Sequence, residues 1–231
     1  LNKGITLSLP SLLENKLAKK IINEIPSAEM VRFAKNGSDV TSAAIRLSRM
    51  ITERKIILTC GYHGWHEWYI GKTSMNAGIP NEMFINTKTF KYNDIKSFEK
   101  VFKKNKPNIA AVILEPMNME WPNIKFLKKI RAMCSKNKSI LIFDEICTGF
   151  RFSLGGAQKL FGITPDLTTL GKGMGNGFPI AALVGKRKIM KKCNKIFFSS
   201  TFGGETLSLV AAISVIDFIK KNKVIKRVND L

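Results

Sequence analysis

The chain has 231 residues, of which 45% are hydrophobic and 24% are charged; these values are typical of a globular protein and argue against a disordered, collagen-like or coiled-coil chain. No apolar run approaches the roughly 18–20 residues of a membrane-spanning helix, so we expect no such helix. The net charge of +21 by itself favours a nucleic acid or an anionic membrane surface as the partner.

Helices and strands are predicted to alternate along the chain. Helices are predicted over residues 10–25, 40–52, 92–104, 126–137 and 204–220, and strands over 30–34, 55–60, 83–86, 109–114, 139–143, 167–170 and 180–184. Several strands are continuous apolar runs, which indicates that both faces of the sheet are covered. The pattern predicts an α/β fold with a mainly parallel sheet and helices on both faces. In such a sheet ligands bind beyond the carboxyl ends of the strands, so the residues that follow each strand are the candidates for a site.

Glycine and serine precede two of the predicted helices. Gly37 and Ser38 follow the first strand, and free N–H groups at a helix start can bind a phosphate. The alternative is that Ser38 or Asp39 merely caps the helix. The segment 199–204, which contains Thr201, precedes the last helix and is a second candidate for anion binding.

Tyr62 and His63 follow the second strand and lie between two glycines. An aromatic ring at this position can stack on a flat ligand, although ordinary aromatic packing explains it equally well. The two histidines, His63 and His66, have no third ligand nearby, so no metal site is expected. None of the four cysteines belongs to a CxxC pair, which favours free thiols in a reducing cytoplasm.

Asp144 follows an all-apolar strand, where an unpaired carboxylate is costly. Its partner could be a metal, Arg151 or a protonated ring nitrogen, whereas Glu145 points to the opposite face of the strand. Lys172 is flanked by glycines between apolar strands, unlike the many lysines on solvated helix faces. We expect a desolvated Lys172 with a lowered pKa, as Schiff-base chemistry requires.

Two anion loops, an aromatic plate, a buried acid and a desolvated lysine are together the set of groups that pyridoxal phosphate needs. The stretch from Leu141 to Gly185 reads LIFDEICTGFRFSLGGAQKLFGITPDLTTLGKGMGNGFPIAALVG, with Lys172 28 positions after Asp144. It resembles the signature of class III (subgroup II) aminotransferases of the fold-type I pyridoxal-phosphate superfamily, and most closely that of the glutamate-1-semialdehyde 2,1-aminomutases. The resemblance covers roughly residues 7–220.

The resemblance implies a role for each matching residue. Lys172 would hold the cofactor as a Schiff base, and Asp144 would pair with the pyridinium nitrogen. The remaining cofactor contacts would come from Gly37 and Ser38 at the phosphate, Tyr62 stacked on the ring with His63 beside it, Ile146 under the ring, and Thr201 at the phosphate of the neighbouring subunit's cofactor. The chain would then act in a homodimer with shared active sites.

The resemblance also implies that residues 1–231 form a fold-type I large domain with a sheet of the seven-stranded type. The chain begins with Leu, shows no signal-peptide pattern and ends within a helical pattern over 211–231, so we expect a fragment lacking the N-terminal segment and the C-terminal small domain. We expect a cytoplasmic enzyme that acts on a small-molecule amino donor and an oxo acceptor.

Three segments depart from the aminomutase pattern. Glu120 lies where aminomutases have Asn, which makes it a weak candidate for a substrate contact; Phe202 to Thr206 and Tyr62 to Tyr69 also differ. These departures resemble aminotransferases that act on sugar or cell-surface precursors, so the substrate stays open between these classes.

Two further alternatives are a basic nucleic-acid-binding module and an inactive truncated relative. Against the first, the lysines are spread through nearly every predicted helix, and no nucleic-acid-binding motif is present. We therefore expect neither a nucleic acid nor a membrane as partner.

Overall fold

The computed structural model describes residues 4–6 and 9–230, in which seven strands form one mixed sheet. The strands are β1 (Met30–Ala34), β2 (Ile56–Cys60), β3 (Thr87–Thr89), β4 (Ile109–Leu114), β5 (Ile140–Glu145), β6 (Leu167–Leu170) and β7 (Ala181–Gly185). Their order across the sheet is β1-β7-β6-β5-β4-β2-β3. Only β7 runs antiparallel to its neighbours β1 and β6, so the expectation of a mainly parallel sheet is confirmed.

Helices connect the strands and cover both faces of the sheet. They are α1 (Leu12–Glu24), α2 (Gly37–Thr52), α3 (Glu67–Ile70), α4 (Asn81–Phe84), α5 (Ile95–Asn105), α6 (Ile124–Asn137), α7 (Gly156–Phe161), α8 (Arg187–Met190), α9 (Thr206–Lys221) and α10 (Val224–Asn229), with 3-10 turns at Lys172–Met174 and Lys191–Lys195. Within the described residues, none of these helices is both long and apolar enough to cross a bilayer.

The central strands are buried on both faces. Since successive side chains of a strand point to opposite sides of the sheet, each strand contributes to the packing on both sides. In β4, Ile113 packs in a cluster with Val40 and Leu47 of α2, while Val112 packs in another cluster with Phe98 of α5 and Phe126 of α6. A third cluster joins α1 and α9 to β6 and β7. The continuous apolar runs of the strands follow from this two-sided cover.

Two predicted elements are wrong. Residues 83–86 do not form a strand: α4 follows Pro80 and turns Phe84 into the interior, and β3 begins only at Thr87. The helical pattern over 211–231 is interrupted, because Lys223 adopts a left-handed conformation (φ 49°) between α9 and α10. Residue 231 lies outside the described residues.

Helix α2 begins at Gly37, three residues earlier than the sequence predicts. Asn36 is the N-cap, and its N–H donates to the Asp39 carboxylate at 3.1 Å. Since Asn, Ser and Asp are all good caps, propensity does not choose among them. The earlier start places Gly37 and Ser38 in the first helical turn, where backbone N–H groups have no partner within the helix.

Candidate active site

A pocket of about 370 Å³ opens at the edge of the sheet where the parallel strands end. Residues that end or follow five strands line it: Gly37 and Ser38 after β1, Tyr62 and His63 after β2, Glu115 after β4, Asp144, Ile146 and Cys147 at the end of β5, and Lys172 after β6. The structure thus brings together seven of the nine residues singled out in the sequence, because the strand-end rule holds for this sheet.

The first turn of α2 forms one wall of this pocket. A Cβ atom on Gly37 would approach Ile146 to 3.3 Å, so a side chain there would crowd the residue opposite. Ser38 is buried, and its hydroxyl accepts a hydrogen bond from the Trp65 N–H at 3.2 Å. The helix start therefore presents backbone N–H groups and a hydroxyl at the pocket, a suitable arrangement for an anion.

The loop that follows β2 is fastened to α2. Thr41 donates its hydroxyl hydrogen to the His63 carbonyl at 2.9 Å. Gly64 has a φ of +98°, and a Cβ atom there would come within 2.3 Å of the Ser38 hydroxyl oxygen. Only glycine fits this conformation and this close approach, so the glycine is needed to hold the aromatic loop against the helix start.

Tyr62 extends from this loop and is 57% exposed. Its ring meets Tyr69 edge to face, with 5.8 Å between the centroids, and the Tyr69 hydroxyl donates to the Gly61 carbonyl at 2.7 Å. Burial, followed by the charge of Glu115, raises the pKa of Tyr69 to about 12, so Tyr69 remains a neutral donor at physiological pH. The hydrogen bond from Tyr69 therefore holds the backbone just before Tyr62, and the Tyr62 ring is accessible at the pocket.

Asp144 is 3% exposed and fully hydrogen-bonded. One carboxylate oxygen lies 2.8 Å from His63 Nδ1, and the other accepts from the Thr169 hydroxyl at 3.1 Å and from the Ile146 N–H at 3.2 Å. Arg151 does not reach it, since the guanidinium donates to the Cys147 carbonyl. Within this chain, the buried acid pairs with a ring nitrogen of His63 and not with Arg151. Its pairing with the ring nitrogen of a cofactor stays a prediction.

Glu145, the next residue, faces the other side of the sheet, as predicted. It is 0% exposed and accepts hydrogen bonds from the Thr148 hydroxyl at 2.8 Å, from Gln158 Nε2 at 2.9 Å and from the N–H of Ala157. Burial raises the pKa of Glu145, and these hydrogen bonds oppose that effect. The two carboxylates therefore belong to separate environments and do not form a catalytic pair.

Lys172 begins a 3-10 turn with a φ of 37°, and its Nζ donates to the Cys147 sulfur at 2.8 Å. This bond raises the pKa of Lys172; partial burial opposes the shift, and the nearby Asp144 and Glu115 charges reinforce it. The prediction of a lowered pKa is therefore wrong for this structure, because the lysine is largely exposed and faces two carboxylates.

Three ionisable residues that line the pocket are not among the predicted site residues. Glu115 accepts the Tyr62 N–H at 3.0 Å, and its burial raises its pKa. It follows β4 directly, so the strand-end rule could have found it. Cys147 and Lys35 are the other two, and Lys35 directly precedes the cap of α2. Lys35 lines the pocket and pairs with Glu205 at 2.7 Å.

Glu120 and Thr201 lie away from this pocket. Glu120 is exposed and accepts from Asn93 Nδ2 at 3.2 Å. Thr201 is exposed beside a separate cavity of the same chain that Glu14 and Gly204 also line. At the start of α9 the Glu205 carboxylate accepts from the N–H groups of Leu207 and Ser208, so these N–H groups already have a partner. Anion binding by Thr201 in the segment before this helix stays a prediction.

The four cysteines are unpaired, and three of them, Cys60, Cys134 and Cys193, are buried. Among the described residues, His, Cys, Asp and Glu form no cluster of three that could hold a metal ion.

Comparison with known proteins places the chain among aminotransferases. It is 41% identical to a 3-aminobutyryl-CoA aminotransferase of Cloacimonas acidaminovorans (97% of this chain and 55% of that protein). It is 38% identical to a glutamate-1-semialdehyde 2,1-aminomutase of Ignicoccus hospitalis (99% of this chain and 58% of that protein). The chain thus spans little more than half the length of these curated relatives.

Solved structures agree with this placement. The FumI protein of Sphingopyxis sp. MTA144, in a form described as its PLP internal aldimine, matches with a TM-score of 0.87 and 31% identity over 95% of this chain and 54% of that chain. An omega-transaminase from Sphaerobacter thermophilus matches with a TM-score of 0.87 and 26% identity over 94% of this chain and 56% of that chain. A family model described as "Aminotransferase class-III" matches residues 5–231. The chain therefore belongs to the class III aminotransferase family.

Proposed function

We propose that this chain is the cofactor-binding large domain of a pyridoxal-phosphate-dependent aminotransferase or aminomutase. One observation carries the proposal: the buried acid Asp144, the amine of Lys172 and the first turn of α2 all line one pocket at the end of a parallel sheet. Family membership supports the same reaction class.

The chemistry of the lining fits the parts of the cofactor. Gly37 and Ser38 would bind the phosphate through N–H and hydroxyl groups, and Ile146 and Tyr62 would contact the flat ring. A cavity of about 370 Å³ is large enough for one small, flat molecule.

Pyridoxal phosphate, when bound, supplies an aldehyde that condenses with amines and a pyridinium ring that accepts electrons from the substrate carbon. In this proposal Lys172 holds the cofactor through its amine and, once released, moves a proton to and from the substrate as a general base and acid. Asp144 keeps a proton on the ring nitrogen through its negative charge. His63 Nδ1, at 2.8 Å, and the Thr169 hydroxyl, at 3.1 Å, orient that carboxylate.

The substrates are then a small-molecule amino donor and an oxo acceptor, or a single molecule in a mutase. Two of the relatives named above are a 3-aminobutyryl-CoA aminotransferase and a glutamate-1-semialdehyde 2,1-aminomutase, and both names give a small molecule. Glu120 is a proposed substrate contact. Sugar or cell-surface precursors are the alternative substrate class.

The enzyme would be a cytoplasmic homodimer in which Thr201 reaches the cofactor of the neighbouring subunit. One feature supports this arrangement: Thr201 is exposed and lies outside the pocket of its own chain.

Covalent mapping tests the assignment of Lys172. The chain is mixed with pyridoxal phosphate, reduced with borohydride and digested, and we expect the phosphopyridoxyl group on the peptide that contains Lys172. The Lys172→Ala variant should lose this label. The matched control is Lys186→Ala, whose side chain pairs with Asp166 on another part of the surface and whose loss should leave labelling unchanged. Labelling confined to other lysines would refute the assignment.

A second pair of variants tests Asp144. Asp144→Asn preserves the shape but removes the charge, so we expect at least a tenfold loss of pyridoxal phosphate affinity, about 1.4 kcal/mol. Glu145→Gln, on the opposite face of the same strand, is the control and should leave the affinity nearly unchanged. Equal effects of the two substitutions would contradict the role of Asp144.

A further inference from the structure

Cys147 differs from the other three cysteines in its exposure. Cys60, Cys134 and Cys193 are 6%, 0% and 5% exposed, whereas Cys147 is only partly buried and lines the pocket. Buried thiols are inert, and reaction with electrophiles or oxidants follows accessibility. Cys147 is therefore the cysteine that we expect to react with electrophiles and oxidants.

Cys147 also has a second nucleophile in contact with it. Its sulfur lies 2.8 Å from Lys172 Nζ. Strand pairing explains the contact, because β5 and β6 are parallel neighbours and the residues that follow them emerge side by side. Gly171 and Gly173 flank the lysine and add no side chain between the two groups. The pairing of β5 with β6 therefore brings the two side chains together.

We propose that the pair formed by Cys147 and Lys172 is a modification site for peroxides. Hydrogen peroxide oxidises the Cys147 thiol to a sulfenic acid and is itself reduced to water. The Lys172 ammonium loses a proton to solvent, and the resulting neutral amine attacks the sulfur. An S–N bond forms, the S–O bond breaks, and the hydroxyl group takes up the second proton of the amine and leaves as a second water. The product is a sulfenamide that has lost two hydrogen atoms relative to the reduced pair, and a thiol reductant restores both side chains.

The sulfenamide engages the amine that the proposed function assigns to the cofactor, and this consequence rests on that function. An oxidised chain cannot accept pyridoxal phosphate at Lys172. Conversely, a chain already loaded with the cofactor has no free amine at this position and is protected from the cross-link. Peroxide thus acts on the unloaded chain.

The experiment treats the cofactor-free chain with hydrogen peroxide and maps its peptides by mass spectrometry. We expect one cross-linked pair of peptides, containing Cys147 and Lys172, with a loss of two hydrogen atoms and recovery on addition of dithiothreitol. Iodoacetamide should alkylate Cys147 on the order of tenfold faster than the three buried cysteines in the native chain. Cross-link formation is read by mass alone and requires no enzymatic activity.

Two variants separate the steps. Cys147→Ser should form no cross-link. Lys172→Ala should also form none but should still yield a sulfenic acid on Cys147, which dimedone traps. The proposal is overturned if Cys147 of the native chain stays reduced, if it passes to the sulfinic acid without a cross-link, or if a buried cysteine is oxidised first.

Prior loading with pyridoxal phosphate distinguishes this proposal from the proposed function. We expect the loaded chain to form at least about tenfold less cross-link than the free chain. A cross-link that forms equally in both would leave the modification site standing and would refute the cofactor assignment. A cofactor label on Lys172 without any cross-link in the free chain would support the cofactor assignment and refute the modification site.

Discussion

Helices α2 and α9 each have 16 residues and have glycine and serine residues close to their starts, yet their N-termini differ. At α9, the Glu205 carboxylate accepts from Leu207 N–H at 2.7 Å and from Ser208 N–H at 2.9 Å. At α2, the acid of the first turn, Asp39, bonds back to the Asn36 N–H. Free donors at a helix start make an anion site only where the chain does not supply its own anion.

Lys35 connects the two helix starts. It immediately precedes the cap of α2, lines the pocket, and pairs with Glu205 at 2.7 Å. Both side chains of this pair are only 13% exposed, so the charge of Lys35 is largely balanced by the cap of α9. The N-terminus of α2 is therefore the positive group on this side of the pocket that remains available to a bound anion.

The largest expected effect comes from detaching the aromatic loop from α2. Gly64→Ala should lower the free energy of unfolding by about 2–4 kcal/mol, because the new Cβ atom meets the Ser38 hydroxyl and backbone at a φ of +98°. Urea denaturation measures the change. Gly78→Ala is the control, since Gly78 also has a positive φ but faces open space and should cost only about 1 kcal/mol. Equal losses would show that the contact with α2 is unimportant.

The second prediction makes α2 resemble α9. Ser38→Asp places a carboxylate at the start of α2, and repulsion should weaken binding of pyridoxal phosphate at least about tenfold. Titration calorimetry measures the affinity. The control Thr206→Asp adds the same charge to the first turn of α9 and should change the affinity less than about twofold. Unchanged binding by the Ser38 variant would contradict the assignment of the phosphate to this helix.

The third prediction removes the acid that closes α9. Glu205→Ala should lower the free energy of unfolding by about 1 kcal/mol, the usual cost of losing an N-cap. The loss arises from the freed N–H groups of Leu207 and Ser208 and from the unpaired Lys35. Thermal or urea unfolding measures it, and a gain in stability would overturn the account of α9.

The last prediction is a dependence on pH. Burial of Glu205 disfavours its charge, but the hydrogen bonds from Lys35 and Ser208 outweigh this and lower its pKa to about 2. Since the unfolded value is about 4.3, the stabilisation from this group is fully present above that pH and is lost as the pH falls toward 2. The stability difference between the native chain and Glu205→Gln should shrink over this interval. A constant difference would contradict the lowered pKa.

Strand positions could be predicted because apolar runs determine them. The predicted bounds of β1, β4 and β6 agree with the structure, and the strand-end rule brought Asp144 and Lys172 to one pocket. The rule requires only that neighbouring strands run parallel. Continuous apolar strands indicate a buried parallel sheet, so this condition could be read from the sequence.

Side-chain partners could not be predicted in the same way. The pairing of His63 with Asp144 joins residues 81 positions apart, and it depends on how the loop after β2 folds over α2. The raised pKa of Lys172 likewise depends on its exposure and on Cys147, which the glycine-rich sequence around the lysine does not encode. Tertiary contacts decide both.

The order of the strands leaves β1 and β3 at the two borders of the sheet. Unpaired border strands are templates for pairing between molecules and hence for aggregation. Here they have only five and three residues, and each has a cation at its centre, Arg32 in β1 and Lys88 in β3. Part of the charge of +21 thus lies where it disfavours edge-to-edge association of chains, a use that requires no anionic partner.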